Sequence, residues 1–287
     1  MGDRTSMIES SILSYYDHLG DTEYVAKTFR LASHQEVAAN INSLLESENL
    51  EALFLTCNFI TGIMGCSEDV CQEFVDSDFW STIVKILEHL LLSNNHLIRK
   101  EAVKTLRIIR NNSNVDALIQ AFKIFRDTDP ILLPRLIGAM AWLEVENFWE
   151  FVEEMANSQS YLTRWAVLRA LEAIPKYVIG QTEIDPHIQG KLKYIGQLRQ
   201  DSHTLVRREA EYRYQVQQHQ LEINSLSEAE CHKKRQELNE QCKQVLTFAE
   251  IECSFDLNLS VKDVNNYSLN ELEAFIEERI KLRKLRK

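Results

Sequence analysis

Glycine and proline are scarce in this chain. Eight glycines and four prolines serve 287 residues, whereas folds built from hairpins and tight turns need many more of both. Glycine supplies positive φ, and proline pre-sets the first turn position. An all-β sandwich or barrel is excluded on that ground, and an all-α chain follows. Apolar spacing agrees: Leu97, Ile98, Ala102, Val103, Leu106 and Ile109 fall on one face at the helical period. Leu118, Ile119, Phe122 and Phe125 form a second such stripe, and Phe148, Phe151, Val152 and Met155 a third. Ser33, Ser227 and Ser268 each precede a glutamate by three residues, the spacing of a capping box at a helix start. Asp129-Pro130 and Asp185-Pro186 set a capping carboxylate before proline at the first helical position.

A weak internal repeat runs through these helices. Arg99, Ala102 and Leu106 stand at relative positions 0, +3 and +7; Arg135, Gly138 and Trp142 repeat the offsets, as do Arg164, Val167 and Leu171, then Arg207, Ala210 and Tyr214. The arginines are 36, 29 and 43 residues apart, with Asp127 or Asp129 before the second unit and Asp201 before the fourth. This resembles the HEAT/armadillo superfamily of helical repeats, and 205–210, Leu-Val-Arg-Arg-Glu-Ala, is the best match. The resemblance implies a right-handed α-solenoid, in which stacked helix pairs share a core that no pair could bury alone. The chain divides on this reading into acidic capping helices at 1–48, HEAT-like repeats at 49–220 and a helical C-terminal extension at 221–287. Within the extension, two long helices joined near residues 223–227 form a hairpin, 253–259 alternates like a short extended segment, and a last helix begins at Ser268.

The formal net charge of −11 lies wholly in the first 90 residues, where Arg4, Lys27, Arg30 and Lys85 face fifteen acids. The remaining residues balance at 28 bases and 28 acids, and residues 279–287 carry six bases and no acid. The chain as a whole is therefore no generic polyanion binder, although local basic surfaces are open to it.

Several groups are candidates for function. The recurring Arg99, Arg135, Arg164 and Arg207 suit either a structural ladder to inter-helix aspartates or a row of anion-binding forks. The resemblance implies that Lys100, Lys104, Arg107, Arg169 and Arg208 line the concave face, as a modestly basic groove for an acidic protein segment. Trp165, beside Arg164 near a helix start, is expected to be partly exposed and to contact a partner. The basic tail consists of Arg279, Lys281, Arg283, Lys284, Arg286 and Lys287. It suits a helix C-terminus, an anionic surface or the acidic end of a second copy, so a homo-oligomer is open.

The six cysteines show no paired zinc-site spacing and are read as idle thiols, with neither metal nor cofactor expected. No signal peptide pattern or membrane-length apolar run occurs, which points to the cytoplasm. No nucleophile elbow, phosphate loop or metalloprotease motif is present, so an enzyme is not the expectation. The reading is a non-enzymatic scaffold or adaptor that binds another protein through its concave face. Two alternatives follow from the resemblance alone: a subunit like the HEAT-containing phycobilin lyases, or a nucleic-acid binder like the HEAT-like alkylpurine DNA glycosylases.

Overall fold

The computed structural model describes residues 2–109, 114–174, 186–222, 226–261 and 266–285. Among them every regular element is a helix: α1 (Gly2–Leu13), a 3-10 turn at Tyr15–His18, α2 (Thr22–Phe29), α3 (His34–Leu45), α4 (Leu50–Ile63), α5 (Glu68–Val75), α6 (Trp80–Leu90), α7 (His96–Ile109), α8 (Val115–Phe125), α9 (Leu133–Trp142), α10 (Phe148–Ala156), α11 (Tyr161–Ala173), α12 (Pro186–Leu198), α13 (Thr204–Glu222), α14 (Glu228–Gln244), α15 (Phe248–Asn258) and α16 (Leu269–Leu285). The all-α class is what the described residues adopt. None of these helices is long and apolar enough to cross a membrane.

The chain forms two compact units, one of residues 1–121 with 259–267 and the other of 122–258 with 268–287. In the first, α4 packs on α7, with α3 and α6 beside them. Phe59, Ile60, Ile98, Ala102 and Leu106 are buried there. A polar seam crosses this contact, because the Thr105 hydroxyl donates to the Cys57 carbonyl at 3.1 Å. In the second unit α9 packs closely on α11. Gly138 permits that approach: a Cβ at this position would stand 2.9 Å from Ala173 Cβ. Helices α10, α13 and α15 also contact α11, α14 contacts α13, and α16 contacts α15.

Sequence signals for helix starts hold where the caps are local. Ser33 and Ser227 accept from the backbone N–H three residues on, and Glu36 and Glu230 reach back to the cap N–H. Ser268 and Glu271 exchange the same pair of bonds. Asp129 departs from expectation, since its carboxylate accepts the Leu132 N–H at 3.3 Å and closes a turn, while α9 begins only at Leu133 with Pro134 in its first turn. Asp185 and residues 223–225 lie outside the described residues.

Residues 253–258 correct the expectation of an extended segment, because they belong to α15. Phe248, Ile251 and Phe255 recur at helical spacing and are buried, whereas Leu257, which an alternating strand would put on the same face as Phe255, is 86% exposed. A three-residue alternation is too short to outweigh a helical stripe that begins five residues earlier.

Candidate functional site

The recurring arginines are built into the turns that open the second helices. Arg99 donates to the Ser93 carbonyl at 2.7 Å, Arg164 to Ser158 at 2.8 Å and Arg207 to Asp201 at 2.6 Å, each reaching six residues back. The same turn residue accepts, through its side chain, the backbone N–H two positions on: Asn95 N to Ser93 Oγ, Ser160 N to Ser158 Oγ and His203 N to Asp201 Oδ1. Arg164 also grips Asp201 with two bonds of 2.6 and 3.0 Å, a fork-to-carboxylate rung between successive turns. Burial alone would raise the Asp201 carboxyl, but Arg164 and the His203 N–H outweigh it and hold it below the usual range.

Arg135 does not belong to this set. Asp129 accepts the Leu132 N–H as Ser160 accepts that of Thr163, which puts Leu133, not Arg135, four residues after the cap in the arginine's place. Arg135 lies two residues further on and pairs with Glu252 at 3.1 Å and with Asp256 at 3.9 Å.

That pairing is part of a polar network on the face shared by α9, α11 and α13, and α15 fills it. Glu252 on α15 is 1% exposed and bridges Arg135 and Arg169, the latter at 2.7 Å. Glu209 on α13 is fully buried. It accepts the Trp165 indole N–H at 2.6 Å, the Phe248 N–H at 2.7 Å and two bonds from Arg213. Burial pushes the Glu209 carboxyl up, against the opposing pull of the Phe248 and Trp165 donors. Arg213 continues to Glu172. Two predicted contact residues are thus spent inside the fold. Trp165 is 0% exposed, stacked edge-on against Phe248, and offers a partner no surface. Its helix start is covered by α13 and α15, a burial that position beside an arginine does not reveal.

In the first unit Lys104 bonds Asn58 at 2.8 Å and Glu101 at 3.0 Å, tying α7 to α4. Lys100 and Arg107 are half-buried and have partners of their own.

Arg208 has a different setting. It is exposed and lines an open cleft of 1320 Å³ in the second unit, walled by the starts of α11 and α13, the α14–α15 connection and one face of α16. Leu205, Leu246, Ile276 and Ile280 supply apolar surface. At one end Tyr161 stacks on His203 at 3.8 Å, beside Glu273 and Glu277. Burial, then those two carboxylates, push the Tyr161 hydroxyl up to about 12. At the other end Arg283 binds Glu250 and the Lys243 carbonyl, holding α16 to the α14–α15 connection. Lys243 and Lys284 complete that end.

Of the basic tail, therefore, Arg283 is an internal clasp and Lys284 a cleft residue. Arg279 lies over the Phe275 ring at 4.9 Å, and Lys281 is exposed. Arg286 and Lys287 lie outside the described residues. Sequence reasoning placed Arg208 and the tail in separate sites, and it missed Tyr161, His203, Glu273 and Glu277. The available signal was a second stripe on α16, in which residues 273, 276, 277, 280 and 284 share one face.

The cysteines are thiols without disulfides. Among the described residues no three of histidine, cysteine, aspartate and glutamate gather as a metal site would require.

No family model matches the chain, and no curated protein does. Solved structures similar to it include a designed armadillo repeat protein in complex with the peptide (KR)4. That protein is 15% identical over 72% of this chain and 88% of its own, with a TM-score of 0.43. A computationally designed armadillo repeat protein for modular peptide recognition is 14% identical over 71% and 96%, with a TM-score of 0.42. An engineered protein is 13% identical over 72% and 87%, also at 0.42.

Proposed function

We propose that this chain is a non-enzymatic helical-repeat scaffold that holds a segment of another protein. The observation that carries the reading is the cleft between α16 and the starts of α11 and α13. At 1320 Å³ it exceeds the several hundred cubic ångströms typical of small-molecule sites. Apolar side chains flanked by charges are also the composition of a protein interface, a desolvated centre within a polar rim. The seat proposed for the partner is thus the cleft, since α15 already fills the face shared by α9, α11 and α13. Arg208 and Lys284 favour acidic residues at one end of the bound segment.

Selection from a displayed peptide library against the full chain tests this. Peptides recovered on the wild type are expected to lose about tenfold or more in affinity for an Arg208→Glu, Lys284→Glu double variant. Equal affinity for the two proteins would remove the cleft from the binding site.

A further inference from the structure

The charges of the α16 wall are sorted along its length, and the cleft offers a peptide no sheet edge. Glu273 and Glu277 stand at the Tyr161 end. Lys284 stands with Lys243 and Arg283 towards the other, and Arg208 lines the cleft from α13, one residue before Glu209, which accepts the Phe248 N–H at the start of α15. Among the described residues none of Glu273, Glu277, Arg208 and Lys284 makes a hydrogen bond or ion pair, and all four are exposed. Glu250, by contrast, is engaged by Arg283, and Lys243 by Glu240 at 2.7 Å. The unmet charge is therefore two acids at one end and two bases at the other. A uniformly acidic or uniformly basic segment would meet repulsion at one end.

The α16 wall is helical along its length, so its backbone N–H and C=O groups are bonded within the helix, and no sheet edge lines the cleft. An extended peptide draws most of its backbone hydrogen bonds from a sheet edge, which this cleft does not offer. Gln244 is the one carboxamide among the lining residues. A ligand that satisfies its own backbone, an α-helix, is the form these walls accept. From residue 273 to 284 the α16 wall runs about 16 Å at 1.5 Å per residue, close to three helical turns.

Resting on the reading of this cleft as the protein-binding site, we infer that it receives an amphipathic helix of about three turns from a partner protein. That helix has an aliphatic ridge at i, i+3 or i+4, and i+7 seated over Leu205, Leu246, Ile276 and Ile280. It carries bases at the end facing Glu273 and Glu277 and acids at the end facing Arg208 and Lys284. Both pairs of contacts bring unpaired charges together, and the ridge covers the apolar lining.

Three synthetic helical peptides that share one aliphatic ridge test the inference on the full-length chain by fluorescence anisotropy. One has bases at one end and acids at the other, one is acidic throughout and one is basic throughout. The wild type is expected to bind the dipolar peptide at least about tenfold more tightly than either uniform one. A Glu273→Lys, Glu277→Lys variant is expected to prefer the acidic peptide, and an Arg208→Glu, Lys284→Glu variant the basic one. All four side chains are exposed and unpaired, so circular dichroism of both variants should match the wild type. A dipolar peptide broken by a central proline should lose binding.

Preference of the wild type for a uniform peptide, or full binding of the proline-broken one, would overturn the inference while leaving the cleft a binding site. Failure of every peptide would overturn the cleft reading itself. A concentration-dependent dimer displaced by the dipolar peptide would assign the cleft to a second copy, whose α16 has acids in its first half and bases in its second, and would overturn the partner assignment.

Discussion

A single arginine serves as a turn fastener or as a partner to a neighbouring helix according to a register of two residues. Arg164 illustrates the first role, with its guanidinium bonded to the Ser158 and Gln159 carbonyls and to Asp201. Arg135 illustrates the second, turned towards Glu252. Both arginines were visible in the sequence, and three of the four chosen do share the fastening role. What sequence spacing could not reveal was that Leu133 occupies the fastener's place, because Asp127 and Asp129 both suit the turn and the Leu132 N–H bond that selects Asp129 is a feature of the folded turn. The Arg164 rung also has a pH signature. Asp201 titrates below its unfolded value of about 3.8, so between the two values the unfolded chain binds more protons and stability rises with pH. The rung's contribution is therefore complete above the unfolded value and lost as pH falls through the folded one. Asp201→Asn should lower stability near neutral pH by about 1–3 kcal/mol, since it leaves Arg164 with a weaker acceptor. That deficit should shrink below about pH 4, where the wild-type carboxyl is itself protonated in the unfolded chain. Urea midpoints measured from neutral pH to pH 3 would check this, and a deficit independent of pH would deny the carboxylate its role.

Helices reveal themselves in sequence to the extent that their signals are local. The three serine-glutamate boxes lie within four residues of chain and mark the starts of α3, α14 and α16. The place of α15 depends instead on residues far away in sequence: Glu252 meets Arg169 across 83 positions, and the Phe248 N–H meets Glu209 across 39. A hydrophobic pattern carries no trace of such pairings. The same blindness explains why Trp165 and Arg169 looked available to a partner: α15, the helix that covers them, was itself read as partly extended. Glu252 is the residue on which that covering turns. Removing its charge takes from Arg135 and Arg169 their shared buried acceptor and leaves them Asp256 and Glu172 respectively. Because Arg135 and Arg169 keep about a third of their side-chain exposure, the cost falls below that of a fully buried broken pair, at about 1–3 kcal/mol for Glu252→Gln. Hydrogen exchange should accelerate most at the amides of α15, and less at α9 and α11, which pack on each other through Gly138 and Ala173. Uniform acceleration across the second unit would mean that α15 cannot open by itself.

Charge is legible over the whole molecule before any contact is known, yet its effective value is not. Residues 1–90 hold fifteen acids and four bases, and residues 279–287 hold six bases, a distribution that suits association of one copy's acidic end with another's tail. The fold reduces the cationic side of that pair. Arg283 is committed to Glu250, and Arg279 lies over Phe275, so the described tail bases left without an ion pair or ring contact are Lys281 and Lys284. Attraction of this kind between exposed charges is weak and screened. At about 10 mM ionic strength the Debye length is near 30 Å, and at about 150 mM it is near 8 Å. Head-to-tail contact should therefore appear in light scattering as an apparent mass above that of the monomer only at the lower salt, and disappear at the higher. A chain ending at Arg283 keeps the clasp on Glu250 but loses Lys284 and the residues after it. It should remain monomeric at both salt concentrations with unchanged circular dichroism. If the low-salt excess mass persists in that shortened chain, the tail is not the cationic partner. Charge asymmetry would then orient other molecules around this one without joining copies of it.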